Sequence, residues 1–411
     1  MKTAHPEEKK KVSNILLLNQ MAGPLFRELA EDLADKCPVP CTLSTGHPDA
    51  FLNTMDNEGA LRLRRSPGHN RKSLFSRAAS WLHYLLDSLI FLVQKGRGAG
   101  LIVTTNPPIM GPIAWLFKKI WKVRYTIIVY DVYPDVLTAF QGWNSNGLIC
   151  RLWRFFNRIT WESADVVIAI GPVMAEVITR QFDPSKTGLG RVMVLPPWVD
   201  TDIISPIAKS ENPFAKKWGQ VGRITIIFSG NHGYSHDIDS ILSAANILRE
   251  RDDIRFLLIG GGAKWADALA YRKKHNLLNL EVLPFQPEEV LPFSLGTGDI
   301  AISTLDAKAE GLMFPSKTCY YMAAGSAVIG ICQGKNDLRH ALEESGCGIC
   351  IPPEEPERLA ATIAELVDDP IQLTLYQRHA RQAAVSKFSR TVNGDRLWSI
   401  LRDQGWFQDN D

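Results

Sequence analysis

The chain alternates short, uninterrupted runs of Val, Ile and Leu with helix-length amphipathic segments, and this alternation limits the possible folds more than any other feature. "NILLL" (14–18), "LIVTTNPP" (101–108), "RYTIIVYDVYPD" (124–135) and "SADVVIAIG" (163–171) each hold a strand-length apolar run. A strand with one solvated face alternates apolar and polar residues; one that is apolar throughout belongs in a parallel sheet with helices on both faces. The segments between supply the helices: "PLFRELAEDLADK", with Pro24 suited to the first helical position, "IAWLFKKIWK" and "PVMAEVITRQF". "RVMVLPPWVD" (191–200) closes this half. After the polar stretch 201–221 the alternation restarts with "RITIIFSG", "IRFLLIGGG", "LEVLPFQ" and "DIAISTL". The expectation is an α/β protein of two Rossmann-like doubly wound domains, 1–205 and 206–384, facing a central cleft. Helices from about 385 to 411 are expected to cross back to the first domain. A length of 411 residues suits two domains.

Composition narrows the function classes. The 46 Lys and Arg against 44 Asp and Glu leave a net charge of +2, which argues against a nucleic-acid partner. Seven irregularly spaced cysteines fit a reducing compartment better than a disulfide framework. Cys347 and Cys350 have redox-motif spacing, but their loop-to-strand setting reads as two incidental small apolar residues. The polar N-terminus "MKTAHPEEKKKVSN" does not read as a signal peptide, so a cytoplasmic location is expected. The apolar stretch 77–96 contains His83 and Asp87, which favours a buried helix over a membrane span, with an interfacial helix as the rival. "WLFKKIWKVR" (115–124) mixes Trp, Phe and Lys as interfacial helices do, and the basic loop "RSPGHNRKSLFSR" (65–77) precedes the long helix. A membrane surface is thus a candidate partner, on the inner face.

Parallel sheets bind ligands beyond the carboxyl ends of their strands, so the candidate chemistry is sought there. "FSGNHGYSHD" (228–237) offers Gly230, Asn231, His232, His236 and Asp237 for a phosphate or sugar; the plainer reading is a helix cap by Ser235 or Asp237. "LLIGGGAKW" brings Gly261, where backbone can approach a ligand or turn tightly. "VLPFQPEEV" brings Phe285 and Gln286, one to stack on a base and one to hydrogen-bond it, or simply a strand end before Pro287. "EGLMFPSKTCYYMAAGSAVIG" (310–330) places Pro315, Ser316 and Lys317 at the start of a helix, where backbone N–H groups and the dipole favour an anion. A lysine there opposes the usual dipole preference, which suggests a phosphate beside it. In the first domain, Gly23 follows the first strand, and Asp131, Tyr133 and Asp135 follow another. Asp131 is a candidate for binding a hydroxyl or accepting its proton. The nine scattered histidines show no metal-ligand spacing.

In their order and spacing, "FSGNHGYSHDIDSILSAANIL", "FLLIGGG", "LPFQPEEVLPFSLGTGDIAIS" and "FPSKTCYYMAAGSAVIG" resemble glycosyltransferase family 4, a retaining family with the GT-B fold. "VYDVYPD" is similar to a loop of bacterial members that build surface polysaccharides. The resemblance implies a nucleotide-diphosphate sugar, UDP-sugar first and GDP-sugar next, bound by the second domain. It implies a glycan or lipid-linked acceptor on the first, and metal-independent transfer without a cofactor. Lys317 would meet the diphosphate, Phe285 and Gln286 would lie near the base, and Glu310 would approach the donor sugar. The chain departs from the common pattern at three places. Tyr320 stands where many members have Glu, Asn231 and His236 where many have Arg and Lys, and Tyr130 where a His precedes the strand-end Asp. Tyr320 could then donate to a ribose hydroxyl and His236 could meet phosphate. The alternatives are a nucleotide-sugar epimerase of the same fold and a non-catalytic partner protein.

Overall fold

The computed structural model describes residues 11–51, 60–70, 74–185, 190–233 and 236–407. It divides into two units, Met1–Leu195 with Asn393–Asp411, and Pro196–Val392.

The first unit runs β1 (Asn14–Leu18), α1 (Pro24–Lys36), β2 (Cys41–Thr45), β3 (Leu61–Arg65), α2 (Leu74–Lys95), β4 (Ala99–Thr104), α3 (Met110–Trp121), β5 (Arg124–Val129), α4 (Asp135–Phe140), α5 (Leu148–Ser163), β6 (Val166–Ala169), α6 (Pro172–Thr179) and β7 (Arg191–Val194). The strands form a parallel sheet in the order β3-β2-β1-β4-β5-β6-β7. The central strands β1, β4, β5 and β6 are buried almost throughout, as their continuous apolar runs require. The edge strand β3 reads "LRLRR" and is nowhere fully buried, so it carries no apolar run to betray it. Right-handed crossovers place α1 on one face of the sheet and α2, α3, α5 and α6 on the other.

The second unit runs α7 (Pro213–Lys217), β8 (Ile224–Asn231), α8 (Ile238–Ile247), β9 (Ile254–Gly261), α9 (Trp265–His275), β10 (Leu280–Pro284), α10 (Leu291–Leu295), β11 (Ile300–Thr304), α11 (Lys317–Ala323), β12 (Ala327–Ile331), α12 (Asp337–Ser345), β13 (Gly348–Ile351), α13 (Pro356–Asp368) and α14 (Pro370–Lys387). Its parallel sheet has the order β10-β9-β8-β11-β12-β13. Phe228, Ile241, Phe256, Leu280, Ile300, Ile329 and Ile363 belong to a core on one side of it. The last helix, α15 (Arg390–Asp403), has its residues from Asn393 onward in the first unit. There Trp406 is fully buried, and Arg124 donates to the carbonyls of Gln404 (2.6 Å) and Gly405.

The helix over 77–96 is α2, and it is not buried all round. Tyr84, Ser88 and Leu92 are inaccessible, while Leu82, Leu86, Ile90 and Val93 are exposed. Among the described residues no helix is long and apolar enough to cross a membrane. Cys347 is buried, and Cys350 interacts with Cys332 at the end of the neighbouring strand β12, not with Cys347. Ser235, the N-terminal segment 1–10, and 71–73 of the basic loop lie outside the described residues.

Candidate functional site

In the second sheet the connections from β8 step toward β10 and those from β11 step toward β13. The strand order therefore reverses between β8 and β11, and the carboxyl ends of this pair flank the crevice where doubly wound sheets hold ligands.

Lys317 is the first residue of α11 and reaches back across this reversal point. Its ammonium stands 4.2 Å from the centroid of the Phe228 ring on β8, and its Nζ is buried without a hydrogen-bond partner. Burial alone lowers its pKa from 10.5 to about 8. A buried cation without a counter-charge is costly, so its place in the fold calls for an anion. Gly230, next along β8 after Ser229, makes the room. It has φ +137°, and a Cβ there would lie 2.8 Å from the Lys317 Nζ. Tyr321, one turn beyond Lys317, fixes the geometry. Its hydroxyl donates to the Ser229 carbonyl (3.0 Å) and accepts from the Ser229 N–H (2.8 Å). Residues i and i+4 share a helix face, so the tyrosine that pins β8 also aims the lysine. The helix itself is seven residues long and Ser316 gives it no side-chain cap, so the positive charge here rests on Lys317.

Two imidazoles surround the same ring. His232 and His236 lie with centroids 5.4 and 5.9 Å from that of Phe228. Both pKa values are lowered to about 4, first by burial and then by the charge of Lys317, so both rings are neutral at pH 7. The Nδ1 of His236 is 2.6 Å from the Thr304 hydroxyl at the end of β11. Neither ring nitrogen of His232 has a hydrogen-bond partner, although the residue is fully buried. A cavity of about 700 Å³ opens beside His236 and Thr304, bordered also by Lys264, Lys308 and Gln333.

The triple glycine has a structural cause. A Cβ on Gly260 would lie 1.8 Å from the Gly230 carbonyl oxygen, and one on Gly262 2.4 Å from the Asn231 Oδ1. The bare backbone of β9 lets the 230–232 segment fold over it, with His232 N–H donating to the Gly261 carbonyl at 2.7 Å. Gly261 lies under Phe285, whose ring carbon would be 3.0 Å from an added Cβ. Phe285 is 62% exposed, an aromatic face open to a planar ligand. Gln286 spends its amide nitrogen on the Pro284 carbonyl (2.8 Å) and keeps its oxygen available. Asp237 caps α8 through Ser240 N–H (3.0 Å) and also accepts from Glu354 N–H (2.8 Å).

The remaining candidates are dispersed. Glu310 is exposed and turned to the loop after β12, where it accepts from Lys335 N–H (3.2 Å). Ser316 is exposed and Tyr320 half-buried. In the first unit Asp131 follows β5, and burial raises its pKa to about 6. Tyr133 stacks on Trp153 (5.9 Å) and meets Trp81 edge-on (6.3 Å). Asp135 is tied to Arg154 at 2.6 Å, which leaves Asp131 as the carboxylate of this loop without such a partner. Gly23 precedes α1 in extended conformation, and a Cβ there would meet only the His47 ring, at 3.8 Å.

Sequence reasoning passed over Phe228 and Tyr321. Phe228 reads as one more core residue of a strand, and nothing in "CYYMA" separates Tyr321 from Tyr320. His232 was visible only as part of the glycine loop.

Residues 223–369 match the model of the family described as glycosyl transferases group 1. The probable glycosyltransferase WbjE of Pseudomonas aeruginosa is 22% identical over 334 residues, 79% of this chain and 82% of that one. The putative colanic acid biosynthesis glycosyl transferase WcaI of Escherichia coli (strain K12) is 26% identical over 278 residues, 65% and 66% of the two chains. Among solved structures, Anabaena Alr3699/HepE in complex with UDP and glucose superposes with a TM-score of 0.70 at 13% identity, covering 95% of this chain and 100% of that one. The fold and the family match define a glycosyltransferase of the GT-B fold. Within that class the chain resembles family 4, of the kind found in bacterial polysaccharide synthesis.

Proposed function

We propose that the protein transfers a sugar, with retention, from a nucleoside-diphosphate sugar to a glycan or lipid-linked acceptor in polysaccharide assembly at the cytoplasmic face of the membrane. The observation that carries this reading is the buried, unpartnered ammonium of Lys317 between β8 and β11. A diphosphate supplies the missing counter-charge. WcaI's name, with colanic acid in it, supports the polysaccharide assignment, and the UDP complex of Alr3699/HepE supports UDP as the first base to test.

Lys317 neutralises the charge that develops on the leaving diphosphate, and the neutral imidazole of His236 donates a hydrogen bond to a phosphate oxygen from Nε2. Phe285 stacks on the base and Gln286 accepts from it. Glu310 meets hydroxyls of the donor sugar, while Ser316 and Tyr320 complete the donor contacts. On the acceptor side Asp131 orients the attacking hydroxyl, with Tyr133 and Gly23 lining its approach. The hydroxyl attacks from the face the diphosphate leaves, and a leaving-group oxygen takes up its proton. In this reading Lys317 performs the charge neutralisation without a protein-held metal or a cofactor. Removing a single such donor lowers turnover by about 100-fold or more.

The test is calorimetric titration with UDP, GDP, ADP and CMP on the native protein and on Lys317→Ala. Saturable binding of one nucleotide, lost in the variant, is expected. Equal binding by both proteins would remove Lys317 from the diphosphate site. Product analysis then separates a new glycoside from an epimer or from no reaction.

A further inference from the structure

The helices α2, α3 and α5 lie on one face of the first sheet, and each turns an apolar stripe outward. On α2 the stripe is Leu82, Leu86, Ile90 and Val93, with Ile90 60% and Val93 64% exposed. The spacing i, i+4, i+8, i+11 keeps these four on one line of a helix. On α3 it is Leu116 and Ile120, one turn apart, and on α5 Leu148, Ile149, Leu152 and Phe156. Helix α3 packs on α5, and the end of α2 meets α3 where Gly96 and Arg97 approach Trp121. An apolar surface spread over three neighbouring helices exceeds the scattered exposed leucines of an ordinary monomer.

The charge of this layer identifies what it fits. The whole chain is nearly balanced, yet these three helices carry seven Lys or Arg against two acids, Asp87 and Glu162. Asp87 is bound by Arg64 at 2.6 Å, and the Glu162 carboxylate accepts from Asp183 N–H at 2.8 Å. Lys118 and Arg154 are paired with Asp165 (3.2 Å) and Asp135 (2.6 Å), but Lys95, Lys119 and Arg151 are exposed, and Lys119 and Arg158 lie over Trp115 and Phe155 at 6.0 Å. A second copy of the same face would set like charge against like charge, which disfavours a symmetric dimer. Apolar stripes edged by cations suit an anionic lipid surface, with the stripes at the acyl boundary and the cations at the headgroups.

We propose that the outer face of α2, α3 and α5 docks the protein onto a bilayer containing anionic phospholipid. This deepens the proposed function, since it rests on that reading for the lipid-linked acceptor. Binding to vesicles, however, is measured without nucleotide or acceptor and stands or falls by itself.

The experiment is flotation of the full chain with vesicles of phosphatidylcholine alone or mixed with phosphatidylglycerol, at low and high salt. Flotation with the mixed vesicles, weakened by salt, is expected. Ile90→Glu with Leu152→Glu, both at exposed positions, is expected to lower binding about tenfold or more. Arg151→Glu with Arg158→Glu is expected to do the same on anionic vesicles only, on the order of tenfold. Circular dichroism and nucleotide titration of each variant should match the native protein, which separates loss of docking from loss of fold or donor site. Native protein that stays with the soluble fraction on anionic vesicles overturns the proposal. So does flotation untouched by both double variants, or a dimer in sedimentation that Ile90→Glu dissociates while vesicles are ignored.

Discussion

The ammonium of Lys317 stands over the ring of Phe228, 4.2 Å from its centroid, with Gly230 supplying the space beside it. The ring offers a cation its π face, but no hydrogen bond. The lysine is thus held in a place that suits it only when an anion arrives. Lys317→Met should therefore abolish nucleotide binding and transfer while leaving the free protein at least as stable. Thermal melting checks this. A marked fall in Tm would mean that the lysine serves the fold.

The pH dependence of stability follows from the same burial. The folded pKa of Lys317 is lowered from 10.5 to about 8, so between those values the unfolded chain binds the extra proton. Stability of the free protein should rise from pH 8 toward 10.5, and this rise should vanish in Lys317→Met. Denaturant titrations at several pH values measure it. A flat profile in the native protein contradicts the burial of the charge.

The two imidazoles give a second window. Their folded pKa values are lowered from 6.5 to about 4, so stability should be complete above 6.5 and be lost as pH falls toward 4. His232→Leu should flatten part of this slope. Proton resonances of the imidazoles provide a direct check; a midpoint near 6.5 for both would show them solvated.

Gly230→Ala tests the space beside the lysine. The backbone at φ +137° is strained for any L side chain, and the added methyl would press on the Lys317 Nζ. A loss of about 1–3 kcal/mol in stability is expected, with weaker nucleotide binding. Unchanged calorimetric affinity would show that the lysine can move aside at no cost.

Asp131 has a folded pKa of about 6, raised by burial. The folded state then holds the proton between about 4 and 6, so this group favours folding at low pH and opposes it once ionised. Asp131→Asn should melt higher than the native protein at pH 8 and turn over more slowly. Native turnover should rise through pH 6, and the variant should lack that limb. A variant as active as the native protein removes Asp131 from the reaction.

Much of the fold is legible in the sequence because central parallel strands must be apolar on both sides. The bounds of β1 and α1 can be read directly from "NILLL" and "PLFRELAEDLADK". The edge strand β3 and the basic helix α5 escape the same reasoning, since neither is an apolar run. In the site, Lys317 stands out because a cation opens its helix, but its burial against Phe228 is not encoded in the local sequence. The glycines of "IGGG" invite a ligand, and they turn out to admit the neighbouring loop. Such contacts join residues about 30 or 90 positions apart, and nothing local encodes them.

The division of the chain bears on the order in which it can fold. The second unit is one continuous segment, complete once residue 392 has emerged, whereas the first needs residues from 393 onward. Until then Arg124 has Asp165 at 2.8 Å but lacks the carbonyls of Gln404 and Gly405, and the wall of β4 at Gly100 lacks Trp406. During synthesis the later-encoded unit can therefore finish before the earlier one. The tail from 393 acts as the closing clasp of a sheet whose strands were made first.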